Sequence, residues 1–315
     1  RLPPKRVLGG IDPVVSIKNL DMNFDIVHLH DTLPILIRRS LKRARKEKIP
    51  VVTTFHNDYI KTSLTGKIVK RIRWALQGRR TLQSSSARIA LTPYYANHLK
   101  GRGVGKAIDV LPNGFEPVAE DASRPSTLPS NVEEHPLLVF VGRLSEQKGL
   151  DVLMDAWDSL CQQGEPEARL AIAGSGELNQ WLNERIASST YPDSIVKLGR
   201  VEDCEKRWLF EQAKGVLIPS RFEGLPTVLL EAMHAGAPVV MSDVNDLGRL
   251  VTEPNAGLSV SPGDATELVH AIETLLGSDD VQCSTWSENG RKASKPYLWS
   301  NVVDDLLEVY QRVRT

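Results

Sequence analysis

The sequence predicts an α/β protein built on parallel sheets, and three observations carry that prediction. Short runs of aliphatic and β-branched residues alternate with segments of helical spacing along the chain, as βαβ units require. In the second half these runs are apolar at successive rather than alternate positions, so both strand faces must be covered. The 315 residues, 41% of them hydrophobic, suffice for two cores, and a proline-rich stretch divides them.

In chain order, the first part predicts strands at Ile26–Leu29, Val51–Phe55, Arg88–Leu91 and Asp109–Leu111, each followed by polar or turn residues. Residues 117–136 carry Pro117, Pro125, Pro129 and Pro136 and read as a linker. They divide a first domain, residues 1–116, from a second, residues 137–295. There, strands are predicted at Leu137–Val141, Arg169–Ala173, Ile195–Leu198, Gly215–Ile218, Val239–Met241 and Leu258–Val260. Between the first two, Leu150, Leu153, Met154, Trp157 and Leu160 recur at helical spacing, so this domain reads as doubly wound. Residues 296–315 hold a final helix, Tyr297–Val313, with Trp299, Val302, Leu306, Leu307 and Tyr310. Arg1 is neither an initiator methionine nor the start of a leader, so the first domain reads as incomplete at its start.

Apolar runs such as Leu137–Val141 fall far short of the roughly 20 residues that cross a bilayer. Cys161, Cys204 and Cys283 are widely spaced, which argues against a disulfide framework and a zinc site and points to a reducing, cytoplasmic setting. The net charge of zero conceals an asymmetry: residues 1–115 hold 22 Lys+Arg against 7 Asp+Glu, the remainder 17 against 32. Much of the excess lies in Arg38–Lys48 and Lys61–Arg80, the second with Leu64, Ile68, Val69, Ile72, Trp74 and Leu76 and no acid. This basic amphipathic surface suits anionic lipid headgroups, hence peripheral contact at the cytoplasmic face of a membrane, or an acidic acceptor. A solvated helix face explains it equally well. No nucleic-acid partner is expected, and oligomeric state is not legible.

Three constellations fall where predicted strands end. Gly142, Arg143, Lys148 and Gly149 follow the first strand of the second domain; Gly142 lets backbone approach a ligand, and two cations could clamp a diphosphate. Gly174-Ser175-Gly176 makes a second strand-to-helix turn, whose amides could face a phosphate. A dinucleotide fingerprint needs a third glycine where Asn179 stands, so a dehydrogenase loses support. In Ser220-Arg221-Phe222-Glu223-Gly224-Leu225-Pro226-Thr227, Pro226 is suited to a helix's first turn, leaving the amides near Thr227 and Val228 unpaired. Glu223 before that helix and Glu231 on it can accept hydrogen bonds from sugar or ribose hydroxyls.

In this order, and with Glu223 and Glu231 at their spacing, the constellations resemble the retaining glycosyltransferases of family 4. Leu111-Pro112-Asn113-Gly114 resembles the turn closing that family's first domain, and Val27-His28-Leu29-His30 its strand ending near the acceptor. The resemblance covers nearly the whole chain and implies a GT-B fold, two facing Rossmann-like domains with the active site between them and the final helix, residues 296–315, packing back on the first domain. It implies that Arg143 and Lys148 hold the donor diphosphate, Glu231 binds the ribose, and Glu223 orients the transferred sugar, assisted by the amides of Gly224, Leu225 and Thr227. Gly142, Gly174 and Gly176 would line the donor site, Gly199-Arg200-Val201 would line the base, and His56 would face the donor sugar. His28, His30 and Asn113 lie on the acceptor side, the two histidines in packed or strand-end roles.

The implied activity is transfer of a sugar from a UDP- or GDP-sugar to a hydroxyl of a glycan, lipid-linked or other acceptor, with retention. The leaving phosphate would accept the acceptor's proton, with neither metal nor cofactor. Two departures stand out: the family's first strand and Gly-rich loop do not precede Arg1, and Val244–Arg249 lacks the usual Gly-Gly, with Arg249 in the place of an acid. A nucleotide-sugar epimerase of the same fold, or a non-catalytic nucleotide-sugar-binding paralogue, are the alternatives.

Overall fold

The computed structural model describes residues 4–7, 10–13, 23–31, 34–56, 74, 78–117 and 121–314. Most of the basic run Lys61–Arg80 lies outside them. The chain separates into two units, Arg1–Asn113 with Val302–Thr315, and Gly114–Asn301.

The first unit opens with an antiparallel pair, β1 (Pro4–Val7) and β2 (Gly10–Pro13), which the sequence pattern does not announce. Four parallel strands follow in chain order: β3 (Val27–His30), β4 (Val51–Phe55), β5 (Ala87–Ala90) and β6 (Asp109–Val110). Each lies within a residue or so of its predicted place. The helix Pro34–Lys46 turns Ile37, Leu41 and Ala44 inward onto Leu29 and Val51, and leaves Arg38, Arg39, Lys42, Arg45 and Lys46 exposed. Its described apolar stripe is thus spent on the core, and its exposed side chains among the described residues are all charged. The helix Pro93–Gly101 starts where Thr92 accepts from the Tyr95 amide, with Pro93 in the first turn, where its missing N–H costs nothing.

The sheet's other face is closed from the far end of the chain. The helix Trp299–Arg314 buries Val302 and Val309, seven residues apart on one stripe, against Val52, Ala87, Ile89 and Leu111. Arg312 donates to Asp109 at 2.6 Å beside that contact.

The second unit is a six-stranded, all-parallel sheet: β7 (Leu137–Val141), β8 (Arg169–Ala173), β9 (Ile195–Gly199), β10 (Ala213–Ile218), β11 (Val239–Ser242) and β12 (Gly257–Val260). Their spatial order is β12-β11-β10-β7-β8-β9. Leu138, Leu170 and Val240 are fully buried, as strands covered on both faces must be. Trp157, on the helix Leu150–Cys161, is fully buried too, and donates to Ser194 Oγ at 3.0 Å. Residues 121–136 run over this unit, where Ser123 N donates to Cys204 O and the Arg124 guanidinium lies over the Trp208 ring. The winding reverses between β7 and β10, so a crevice opens beyond their carboxyl ends, the usual ligand position in such sheets.

Candidate active site

Two loops meet at that crevice. Gln147, after β7, accepts from the Arg221 amide at 2.9 Å and donates through Nε2 to Phe222 O at 2.9 Å. The turn is sealed by Gly149, left-handed at φ 65°, where any Cβ would lie 1.9 Å from Pro219 O. This locking sets Lys148 against the second loop. Its Nζ lies 2.5 Å from Glu223 Oε1, which also accepts from Ser220 Oγ at 2.6 Å. The Glu223 side chain is only 8% exposed, so a cation and a hydroxyl offset its removal from water. Asn245, left-handed at φ 57° in the loop after β11, donates to Glu223 O at 3.0 Å.

The loop after β8 packs on the same centre. A Cβ on Gly174 would lie 1.8 Å from Gly142 O, and one on Gly176 2.2 Å from Leu144 O. These glycines therefore permit backbone to press on backbone. The expectation that Gly174 offers a free amide needs correction: that amide donates to Gly199 O, at the end of β9, at 2.6 Å. Arg143 is exposed and reaches Glu177, 3.3 Å away; Arg200 Nε donates to Ser175 Oγ at 2.9 Å.

Pro226 also sits one position earlier than its sequence context suggests, at the N-cap of the helix Thr227–Ala235. The amides of Thr227 and Val228 still fall in the first turn, where helix geometry supplies no carbonyl. Gly224 and Leu225 are buried just before it. Glu231, on the helix, pairs through Oε2 with Lys206 Nζ at 3.1 Å.

In the first unit the histidines form a cluster at the carboxyl ends of β3 and β4. His28 contacts Tyr310 Oη and Thr54 Oγ1, each at 2.7 Å, and its ring stacks on His30 with centroids 4.6 Å apart. His30 Nδ1 lies 2.7 Å from His56 Nε2. Burial, aided by the charges of His30 and His56, lowers the His28 pKa to about 4; burial lowers those of His30 and His56 as well. Asn113 follows β6 as the last residue of this stretch.

The lowered value of His28 fixes a sign. Between pH 6.5 and about 4 the unfolded chain takes up a proton that the folded one refuses, so stability falls as pH falls through that window. At this half-buried position solvent screening trims the effect to about 2 kcal/mol. Thermal midpoints should drop across that range, and His28→Gln should make the slope shallower, leaving what His30 and His56 contribute; an unchanged slope refutes the assignment.

A family model described as Glycosyl transferases group 1 matches residues 128–293, just over half of the chain, and one described as Glycosyltransferase Family 4 matches residues 4–118. The chain belongs to glycosyltransferase family 4. Phosphatidyl-myo-inositol mannosyltransferase of Mycobacterium leprae is 29% identical over 298 residues, 94% of this glycosyltransferase and 75% of that protein. Sucrose-phosphate synthase from Thermosynechococcus elongatus shares the fold with a TM-score of 0.75 at 20% identity, over 92% of this chain and 74% of that one. Anabaena HepE in complex with UDP-glucose gives 0.70 at 20% identity, over 91% and 79%. The two parallel-sheet units are those of a GT-B glycosyltransferase.

In this family 4 glycosyltransferase, Gly142, Arg143, Lys148, Gly174, Gly176, Gly199, Arg200, Val201, Glu223, Gly224, Leu225, Thr227 and Glu231 all belong to the second unit. His28, His30, His56 and Asn113 belong to the first. Sequence reasoning missed Ser220, Gln147, Asn245, Lys206 and Tyr310. Ser220 stood inside a quoted motif, three residues before Glu223, a spacing at which a hydroxyl can reach a carboxylate. Gln147 beside Lys148, Asn245 within Val244–Arg249 and Tyr310 on the final helix stood in segments already singled out, but nothing local gives their partners, and nothing local marks Lys206.

Proposed function

We propose that this glycosyltransferase moves a sugar, with retention of configuration, from a UDP- or GDP-sugar to a hydroxyl of a glycan or lipid-linked acceptor. The observation that carries the reading is the Lys148–Glu223–Ser220 constellation at the point where the second sheet reverses. A cation held 2.5 Å from a carboxylate can turn to a diphosphate when the donor arrives, leaving Glu223, fixed by Ser220, to accept from sugar hydroxyls. Arg143, exposed and paired with the likewise exposed Glu177, joins it. Gly224, Leu225 and Thr227 offer amides at a helix start, Glu231 takes the ribose, and Gly199, Arg200 and Val201 flank the base.

In this reading the leaving diphosphate accepts the acceptor's proton, so no enzymic nucleophile is needed and catalysis rests on placement and on charge at the leaving group. Arg143 and Lys148 supply the cations, which makes a metal unnecessary to the scheme. His56 contributes from the first unit, with His28, His30 and Asn113 on the acceptor side. The exposed basic face of Pro34–Lys46 suits an anionic membrane surface in the cytoplasm, and no described helix is long and apolar enough to cross one. The complex of HepE with UDP-glucose and the name of the mycobacterial mannosyltransferase support a nucleotide-sugar donor and a lipid-linked acceptor.

The test is titration with UDP and GDP, followed by nucleotide release and product anomeric configuration with sugar donors and acceptors. At a hundredfold excess over Kd the preferred nucleotide should stabilise the fold by about 2.7 kcal/mol. Binding of neither nucleotide, or an inverted product, overturns the reading.

A further inference from the structure

We propose that Lys206 is a positioning residue that aims the Glu231 carboxylate at the ribose hydroxyls of the donor nucleotide. The proposal rests on the reading that Glu231 takes the ribose, and deepens it. Lys206 lies in the first turn of the helix Asp203–Gln212, directly after the Gly199-Arg200-Val201 loop. That helix start is fixed twice: Glu202 and Glu205 form a reciprocal capping box, and the Lys206 amide donates to Glu202 O at 2.8 Å. From there Nζ spans to Glu231 Oε2 at 3.1 Å and Asp203 Oδ1 at 3.2 Å.

The two carboxylates are not equivalent. Asp203 is 77% exposed, where water screens the pair and its contribution is small. Glu231 and Lys206 are 16% and 17% exposed, so their attraction is screened far less. A terminal carboxylate torsion is broad and roughly two-fold, and an ammonium 3.1 Å from one oxygen biases that rotation. Lys206 engages Oε2, and no described residue hydrogen-bonds Oε1, which leaves that oxygen for a neutral donor.

The ammonium has a second effect. A ribose seated over Glu231 removes water from the carboxylate and replaces it with two hydroxyls, which carry no charge. An isolated carboxylate so covered is strongly penalised, and its affinity for the diol would fall. Lys206 supplies the missing countercharge from behind, before the nucleotide arrives.

The experiment measures, by calorimetry on the full chain, the affinity of UDP and GDP, each beside its 2′,3′-dideoxy analogue. The protein should prefer the ribonucleotide by on the order of tenfold or more, the scale of one lost charged hydrogen bond. Glu231→Gln should shrink that preference to about threefold or less. Lys206→Met should shrink it as far, while its affinity for the dideoxy nucleotide stays within about twofold of the parent. Lys206→Arg should restore most of the preference. A Lys206→Met protein that keeps the full preference, or loses affinity equally for both nucleotides, overturns the proposal and leaves Glu231 in its role. A parent protein that binds a nucleotide yet ignores its hydroxyls overturns the Glu231 assignment and the proposal together.

Discussion

Replacing Lys148 by methionine should lower turnover by about a hundredfold to a thousandfold, the range seen when one preorganised charge-stabilising group is lost. The same substitution should also destabilise the second unit. Glu223, 8% exposed, would keep the Ser220 hydroxyl but lose its cation, and a carboxylate at this depth without one costs about 2–3 kcal/mol. The two effects separate in one further protein. Lys148→Met with Glu223→Gln replaces the stranded anion by a neutral amide of similar shape, so its thermal midpoint should recover while turnover stays low. Turnover by Lys148→Met near the parent value would show that the ammonium serves Glu223 alone.

Gly149→Ala should be among the most damaging single-methyl additions in the second unit. The residue holds φ at 65°, and the added carbon would stand 1.9 Å from Pro219 O, a backbone atom that cannot swing aside. About 3 kcal/mol of destabilisation is expected, with separation of the Gln147 and Arg221 loops and loss of nucleotide affinity beyond what stability explains. Gly101→Ala is the control. It sits at the end of the helix Pro93–Gly101 with nothing within 4 Å of a new Cβ, and should be neutral or slightly stabilising. Equal melting of the two variants would sink the claim that the close approach at Gly149 holds the switch point shut.

Much of the framework was legible because the strands of the second unit are buried on both faces. Runs such as Leu137–Val141 and Arg169–Ala173 had to be apolar throughout, and no amphipathic helix imitates them. The pair β1 and β2 escaped notice because Pro4–Val7 carries Pro4, Lys5 and Arg6, a composition that reads as a charged loop. Motif residues were legible for a different reason: glycines and paired acids at strand ends have few uses besides tight turns and ligands. Their partners were not. Lys206 and Glu231 stand on separate helices, and Tyr310 meets His28 from the far end of the chain. Such contacts follow from the winding of the sheet, and no local periodicity encodes them. The Gly174 amide was misjudged on the same ground, since its acceptor, Gly199 O, belongs to the next strand.

The return of Trp299–Arg314 to the first sheet has a consequence for how this enzyme is made. Val52, Ala87, Ile89 and Leu111 are synthesised before the second unit, but Val302 and Val309, which cover them, only after it. The second unit, continuous from Gly114 to Asn301, can complete its core while the earlier-synthesised sheet still shows an uncovered apolar face. Order of completion is thus the reverse of order of synthesis, and a nascent chain stalled or cut before Val302 presents a sticky surface that chaperones and proteases can recognise.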